Sequence, residues 1–210
     1  MKPARILLFA KAPLPGLAKT RLIPALGADG AAMLARRLLD HALREAVEAD
    51  IGPVELCATP PDDAVWAGIA LPPGVTRSDQ GAGDLGQRLA RAAARSVAAG
   101  ETPILIGADC PALDARRLML VAASCLDADA TMVPARDGGY VALGLARFHP
   151  SLFDGIAWST DGVAAATRAR VAALGWRLRC LPALTDIDEP ADLAALPPHW
   201  PEAQRAELAP

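Results

Sequence analysis

The sequence predicts an α/β fold of three layers, α/β/α, built on a mostly parallel, doubly wound sheet. Three observations predict it. Strand-length apolar runs alternate with stretches of helical periodicity along almost the whole chain. Polar motifs rich in Gly or Pro follow several of those runs directly, where an open parallel sheet presents its ligand edge. The 210 residues carry no internal repeat or linker, and such a length buries roughly 70% of the unfolded surface, enough to cover a sheet on both faces. A single domain is expected over residues 1–196, with a Pro- and Ala-rich tail at 197–210.

The elements follow in order. Arg5–Ala10 is a buried first strand. Gly30–Glu48 is a helix whose stripe is Met33, Leu34, Leu38, Leu39, Ala42 and Leu43. Val54–Ala58 is a second strand, Asp62 caps a short helix to Ile69, and Val75–Ser78 is a short third strand. Asp84–Ala99 is a helix with Arg88, Arg91 and Arg95 on an outer face. Pro103–Gly107 is a strand, and Asp114 caps a helix to Leu126. Ala130–Pro134 and Tyr140–Leu145 are strands around an Asp137-Gly138-Gly139 turn. Ser159 or Thr160 caps a helix to Leu174 that Gly175 closes. Trp176–Leu181 is a late strand and Pro190–Leu196 a short helix.

Composition removes several function classes. A formal net charge of −3 argues against a general binder of nucleic acid or anionic membranes. With 52% hydrophobic and 21% charged residues, extensive disorder is excluded. No apolar run approaches the roughly 18 residues of a membrane span, and the N-terminal segment is too short for a signal peptide. A cytoplasmic location is expected. The cysteines at 57, 110, 125 and 180 form no CxxC or Cys/His cluster, and His41, His149 and His199 share no ligand spacing. That leaves buried reduced thiols as the expectation.

Ala occurs 47 times and Arg outnumbers Lys 18 to 3. Where Arg replaces Lys freely, a surviving Lys marks a place that needs a compact ammonium. Two of the three, Lys11 and Lys19, lie in the loop that leaves the first strand. That loop also holds Ala10, Pro13, Gly16 and Arg21, so three cations gather with no carboxylate nearby in sequence. It suits the phosphates of a nucleotide, each cation contributing roughly 1.5–3 kcal/mol. Neither GxxxxGK[ST] nor GxGxxG is present, which disfavours P-loop and dinucleotide readings.

Further motifs carry candidate chemistry. Ile104–Gly107 delivers Asp109 to the ligand edge, and since Asp114 is better placed as a cap, Asp109 is free to hold Mg²⁺ or Mn²⁺. Asp186 and Asp188 share one face of an extended segment, and either is a candidate second ligand, with Asp188 preferred. Gly138 and Gly139 permit close backbone approach, and the only tyrosine, Tyr140, follows them. Trp158-Ser159-Thr160 is a helix start that suits an acceptor. Gln80 through Arg88 borders a base or ribose.

Together these segments resemble a bacterial family of glycosyltransferases labelled radical-SAM/selenodomain-associated transferases and linked to arsenosugar biosynthesis. The matching pieces are FAKAPLPGLAKTRL at Phe9–Leu22, GDLGQRL at Gly83–Leu89, GADCPAL at Gly107–Leu113, DGGYVALGL at Asp137–Leu145, WST at Trp158–Thr160 and DIDEPADL at Asp186–Leu193. The resemblance implies a GT-A-like nucleotide-diphosphosugar transferase fold. More distantly, AKTRL and DIDEPADL resemble phospholactate and molybdenum-cofactor guanylyltransferases. The resemblance implies that the first loop holds nucleotide phosphates and that Asp109 holds the metal. Many GT-A enzymes carry a DxD pair, whereas residue 111 is Pro, which shifts the burden onto Asp188.

The first reading is a metal-dependent glycosyltransferase acting on a nucleoside diphosphosugar and a small acceptor. Lys19 and Arg21 stabilise the leaving diphosphate, Asp137 is general base, and Gly138, Gly139 and Tyr140 shape the sugar pocket. The alternative is a nucleotidyltransferase that joins a nucleoside triphosphate to a small phosphorylated acid. A third reading is a non-catalytic nucleotide-binding regulator.

Overall fold

The computed structural model describes residues 3–203. Seven strands appear in it: β1 (Ala4–Lys11), β2 (Val54–Thr59), β3 (Thr76–Asp79), β4 (Thr102–Gly107), β5 (Ala130–Pro134), β6 (Tyr140–Leu145) and β7 (Leu178–Cys180). Five α-helices connect them: α1 (Ile23–Glu48), α2 (Asp63–Trp66), α3 (Leu85–Ala98), α4 (Ala115–Ser124) and α5 (Val163–Ala173). Short 3₁₀ turns lie at Thr20–Leu22, Pro150–Leu152 and Pro190–Ala195.

The spatial order is β3-β2-β1-β4-β6-β5-β7. All pairings are parallel except those of β6, which runs antiparallel to β4 and β5. The chain winds outward in one direction from β1 and in the other from β4. The crevice at the carboxyl ends of these two strands is therefore the topological switch point, where open sheets of this kind bind ligands. Because β5 enters that edge and β6 leaves it, the turn at Asp137 lies there too.

Alternation along the strands separates two cores. Ile6, Leu8, Leu56, Ile104 and Ile106 face α1, α2 and α4. Leu7, Cys57, Leu105, Met132 and Leu143 face α3 and α5. Ile104 and Leu105 are almost wholly buried, so truncating either to Ala costs about 2–5 kcal/mol. The helix starts obey local chemistry: the Asp62, Asp84 and Asp114 side chains each accept a backbone N–H at the start of α2, α3 and α4.

Several boundaries differ from expectation. α1 begins at Ile23 and bends at Gly27, which takes φ +73° outside helical geometry. Met33, expected in the apolar stripe, is 56% exposed, because the buried face runs through Ala31, Leu34, Leu38 and Ala42. α5 starts at Val163 after Gly162, so neither Ser159 nor Thr160 caps it. Thr160 instead donates its hydroxyl to the Ala157 carbonyl. β7 spans three residues rather than six, and Cys180 on it is exposed, unlike the other three thiols. Residues 197–203, assigned above to the tail, pack on α1: Trp200 and Ala203 join a satellite core with Leu34, Leu38 and Ile187. Residues 204–210 lie outside the described residues.

Candidate active site

The loop after β1 crosses the switch point and returns through the 3₁₀ turn into α1. Ala12 is tied to Thr59 by a backbone hydrogen bond, and Ala12 and Ala18 are buried, so the loop is anchored at both ends. Gly16, at φ +75°, makes its tight turn. Lys19 takes a left-handed conformation, φ 50° and ψ 40°, unusual for a residue with a Cβ. That turn aims its side chain across the crevice. Its ammonium lies 2.6 Å from Asp188 Oδ1 and 3.3 Å from Asp109 Oδ2.

Lys19 and Arg21 were expected to lie without a nearby carboxylate, and the fold corrects this. The Asp109 and Asp188 partners lie 90 and 169 residues away in sequence. Arg21, largely exposed, pairs with Glu189 at 3.6 Å. Burial pulls the Lys19 ammonium downward, but Asp109 and Asp188 outweigh it and leave the net shift upward. Lys11, exposed at the end of β1, stands outside these pairs.

Asp109 and Asp188 thus meet at one sheet edge, joined through a single ammonium. The Ile187 N–H donates to the Asp109 carbonyl at 2.9 Å and locks the two segments together. Ile187 is fully buried, which turns Asp186 and Asp188 outward into the crevice. There Asp137, Asp186 and Asp188 bring carboxylate oxygens within 4.8 Å of one another. Asp186 was the less favoured of the two late carboxylates, yet it belongs to this trio. Burial first, then the charges of Asp109, Asp137 and Asp188, push its carboxyl up from 3.8 to about 7.

Membership in the trio also alters the reading of Asp137 as a general base. Its carboxylate accepts the Gly139 N–H at 2.8 Å and faces two further carboxylates. An all-oxygen donor set of this kind fits a hard divalent cation such as Mg²⁺ or Mn²⁺. It also supplies what Pro111 denies to a DxD pair at Asp109.

The remaining candidates divide by what they touch. Gly138, at φ +95°, accepts the Ala164 N–H and lies so near the Asp161 carbonyl that a Cβ would overlap it. This contact seats the 158–161 segment beside the acidic trio, with Ser159 and Thr160 exposed. Gly139 has ordinary backbone and forms the Asx turn. The Tyr140 and Trp158 polar atoms do not face the crevice. The Tyr140 hydroxyl is buried near Thr167, with its pKa pushed upward by that burial. Trp158 stacks on Phe153 at 6.5 Å and presses against Gly86 of α3.

Gln80 is corrected as well. It is buried, and its amide donates to the Ala10 and Cys57 carbonyls at 3.2 and 2.9 Å. Arg88 donates to Gly83 and to the Gln80 side chain, and Arg91 to Gln80 and Ala82. These arginines staple the loop before α3 rather than forming an outward face, while Arg95 pairs with Glu55.

Residues 42–160 match a family described as "Uncharacterized protein conserved in bacteria (DUF2064)". The chain belongs to the DUF2064 family. No curated protein matches this DUF2064 chain. Similar structures exist. One, from Desulfovibrio desulfuricans G20 and provisionally assigned as a nucleotide-diphospho-sugar transferase, is 26% identical with a TM-score of 0.86, covering 99% of this chain and 95% of that one. A CMP:2-keto-3-deoxy-manno-octonic acid synthetase complexed with CTP is 12% identical with a TM-score of 0.56, covering 99% and 100%. A Mycobacterium tuberculosis H37Rv protein in complex with manganese is 17% identical with a TM-score of 0.52, covering 100% of both chains. The DUF2064 chain has the nucleotide-diphosphosugar transferase fold, shared with cytidylyltransferases. No helix among its described residues is long and apolar enough to cross a membrane.

Proposed function

We propose that the protein is a cytoplasmic, divalent-metal-dependent transferase that uses a nucleotide-activated donor, and that it moves a sugar from a nucleoside diphosphosugar to a small acceptor. The observation that carries this reading is the meeting of Lys19 with Asp109 and Asp188 at the switch point of the sheet, where Asp188 also joins Asp137 and Asp186. The likeness over 99% of the chain to a protein assigned to the same donor class supports it.

In this reading Asp137, Asp186 and Asp188 hold the ion, and Asp109 shares Lys19 with Asp188. Bound there, a divalent ion neutralises charge on the donor's diphosphate. Lys11, Lys19 and Arg21 of the first loop contact phosphate oxygens, with Lys19 and Arg21 trading their carboxylate partners for the ligand. Ala10, Pro13 and Gly16 give that loop its backbone shape. Gly138, Gly139, Ser159 and Thr160 border the acceptor side, and an acceptor of the arsenosugar-pathway kind is the first to try.

Nucleotidyl transfer is the second reading, favoured by the fold shared with a CTP-bound synthetase. The leaving group separates the two. Incubation with nucleotide sugars, nucleoside triphosphates and Mn²⁺ releases a nucleoside diphosphate under the first reading and pyrophosphate under the second. If no nucleotide or nucleotide sugar raises the melting temperature in Mn²⁺, both readings are wrong. Replacing Arg21 by Ala removes one cation–phosphate contact and weakens nucleotide binding by about ten- to a hundredfold.

A further inference from the structure

The turn that carries Asp109 is gripped from outside the site. Its Pro111 is buried, and a buried carbonyl requires a donor. His41 of α1 supplies it, with Nε2 2.9 Å from the Pro111 carbonyl oxygen. The direction of that bond follows from the other ring nitrogen. Arg44 NH2 lies 2.8 Å from His41 Nδ1, and a guanidinium only donates. Nδ1 therefore accepts, the proton sits on Nε2, and Nε2–H points at Pro111. One turn along α1, Glu45 Oε2 accepts the Ala115 N–H at 3.0 Å, at the first residue of α4. Asp114 Oδ1 accepts the Arg117 N–H in the same turn. Residues spaced i and i+4 on α1 thus hold both ends of the segment from Pro111 to Ala115. The His41 ring is fixed in turn by its edge-on contact with Trp200, centroids 5.7 Å apart.

We propose that His41 and Glu45 are positioning residues for Asp109: together they clamp the turn after β4 so that its carboxylate faces Lys19 and the acidic trio. The proposal rests on the reading of that crevice as the metal and nucleotide site, but the clamp itself has a readout that does not. Neither residue reaches the crevice cations. They act through the backbone of the turn on Asp109, and so on the Lys19 that Asp109 shares with Asp188. The loss of outer partners around metal sites elsewhere lowers metal affinity about ten- to a hundredfold.

The test compares His41→Leu, which removes the donor while filling the space, with His41→Gln, whose amide can still donate to Pro111. Glu45→Ala is a second variant should His41→Leu fold poorly; it removes the Ala115 acceptor together with the Oε1 that lies 3.6 Å from His41 Nδ1. Two measurements are made on the full chain: amide hydrogen exchange over residues 109–116, and calorimetric nucleotide affinity with Mn²⁺ and with EDTA. His41→Leu and Glu45→Ala are expected to speed exchange in that segment. They are also expected to weaken Mn²⁺-dependent binding about tenfold, with little change in EDTA. His41→Gln is expected to recover most of both. The proposal is overturned if exchange at 109–116 matches the parent in His41→Leu and Glu45→Ala. It is also overturned if Gln performs no better than Leu, which would reduce His41 to packing. A parent protein that binds no nucleotide in Mn²⁺ defeats the functional reading instead, and the exchange data still decide the clamp.

Discussion

Replacing Lys19 by Met tests the electrostatics of the crevice most directly. Met keeps the aliphatic stem and removes the charge. The Lys19 side chain is 12% exposed, and its ammonium touches Asp109 and Asp188, whose side chains are 35% and 41% exposed. Breaking a fully buried ion pair costs about 3–5 kcal/mol, whereas exposed pairs contribute under about 1 kcal/mol. With one partner buried and two half-wet, about 2 kcal/mol is the expected loss, or a Tm lowered by about 4–8 °C for a domain of this size. The loss should appear in EDTA, where Asp109, Asp137, Asp186 and Asp188 then face one another without a cation. Mn²⁺ should stabilise the variant by more than it stabilises the parent, because the ion replaces the missing charge. Differential scanning fluorimetry at several Mn²⁺ concentrations gives both numbers. An unchanged Tm in EDTA, or equal Mn²⁺ gains for the two proteins, would refute the reasoning.

Three other perturbations have defined outcomes. Asp186 keeps its proton to about pH 7 in the fold but ionises near its ordinary 3.8 when unfolded, so the native state binds the extra proton and loses stability as pH rises from about 4 through 7. Asp186→Asn should therefore raise Tm at pH 8 in EDTA and leave it unchanged near pH 4; a gain at both pH values would contradict the assignment. Gly138→Ala forces a Cβ into the Asp161 carbonyl at φ +95°, and by thermal melting should cost about 2–4 kcal/mol, far more than Gly139→Ala. Burial pushes the Cys57 and Cys110 thiols up to about 12 and raises Cys125, so a disulfide reagent should modify only Cys180 quickly in the native protein, and Cys110→Ser should retain activity.

How much of this was legible in the sequence depended on the range of the cause. Strand cores and the Asp62, Asp84 and Asp114 caps were legible because each depends on residues within about four positions. So was the delivery of Asp109 and the acidic segment to one edge, since parallel βα units place loops after strands together. The start of α1 was misjudged because Gly27 bends the helix without ending it. The antiparallel course of β6 was within reach, since a short turn such as Asp137-Gly138-Gly139 can only join antiparallel neighbours. Gln80 looked like a base reader because nothing in its surroundings reveals that the carbonyls of Ala10 and Cys57 claim its amide.

The site itself shows the limit of such reasoning more sharply. The residue types were legible, but their pairings were set by partners up to 169 residues apart. Counting charges in sequence suggested a cationic loop and a separate acidic segment. Folding superimposes them, and the chemistry changes in kind. A free cationic loop would attract phosphate on its own, whereas Lys19 already has two carboxylates to satisfy. Phosphate must then compete with Asp109 and Asp188 for that ammonium, and it competes best once another cation satisfies the acids. Metal and nucleotide should therefore bind with positive cooperativity. Nucleotide affinity should rise with Mn²⁺ in the parent, and rise less steeply once Asp186 and Asp188 are both Asn. A nucleotide affinity independent of Mn²⁺ would mean that Lys19 and the acids act separately, and the coupling inferred from their contact would fall.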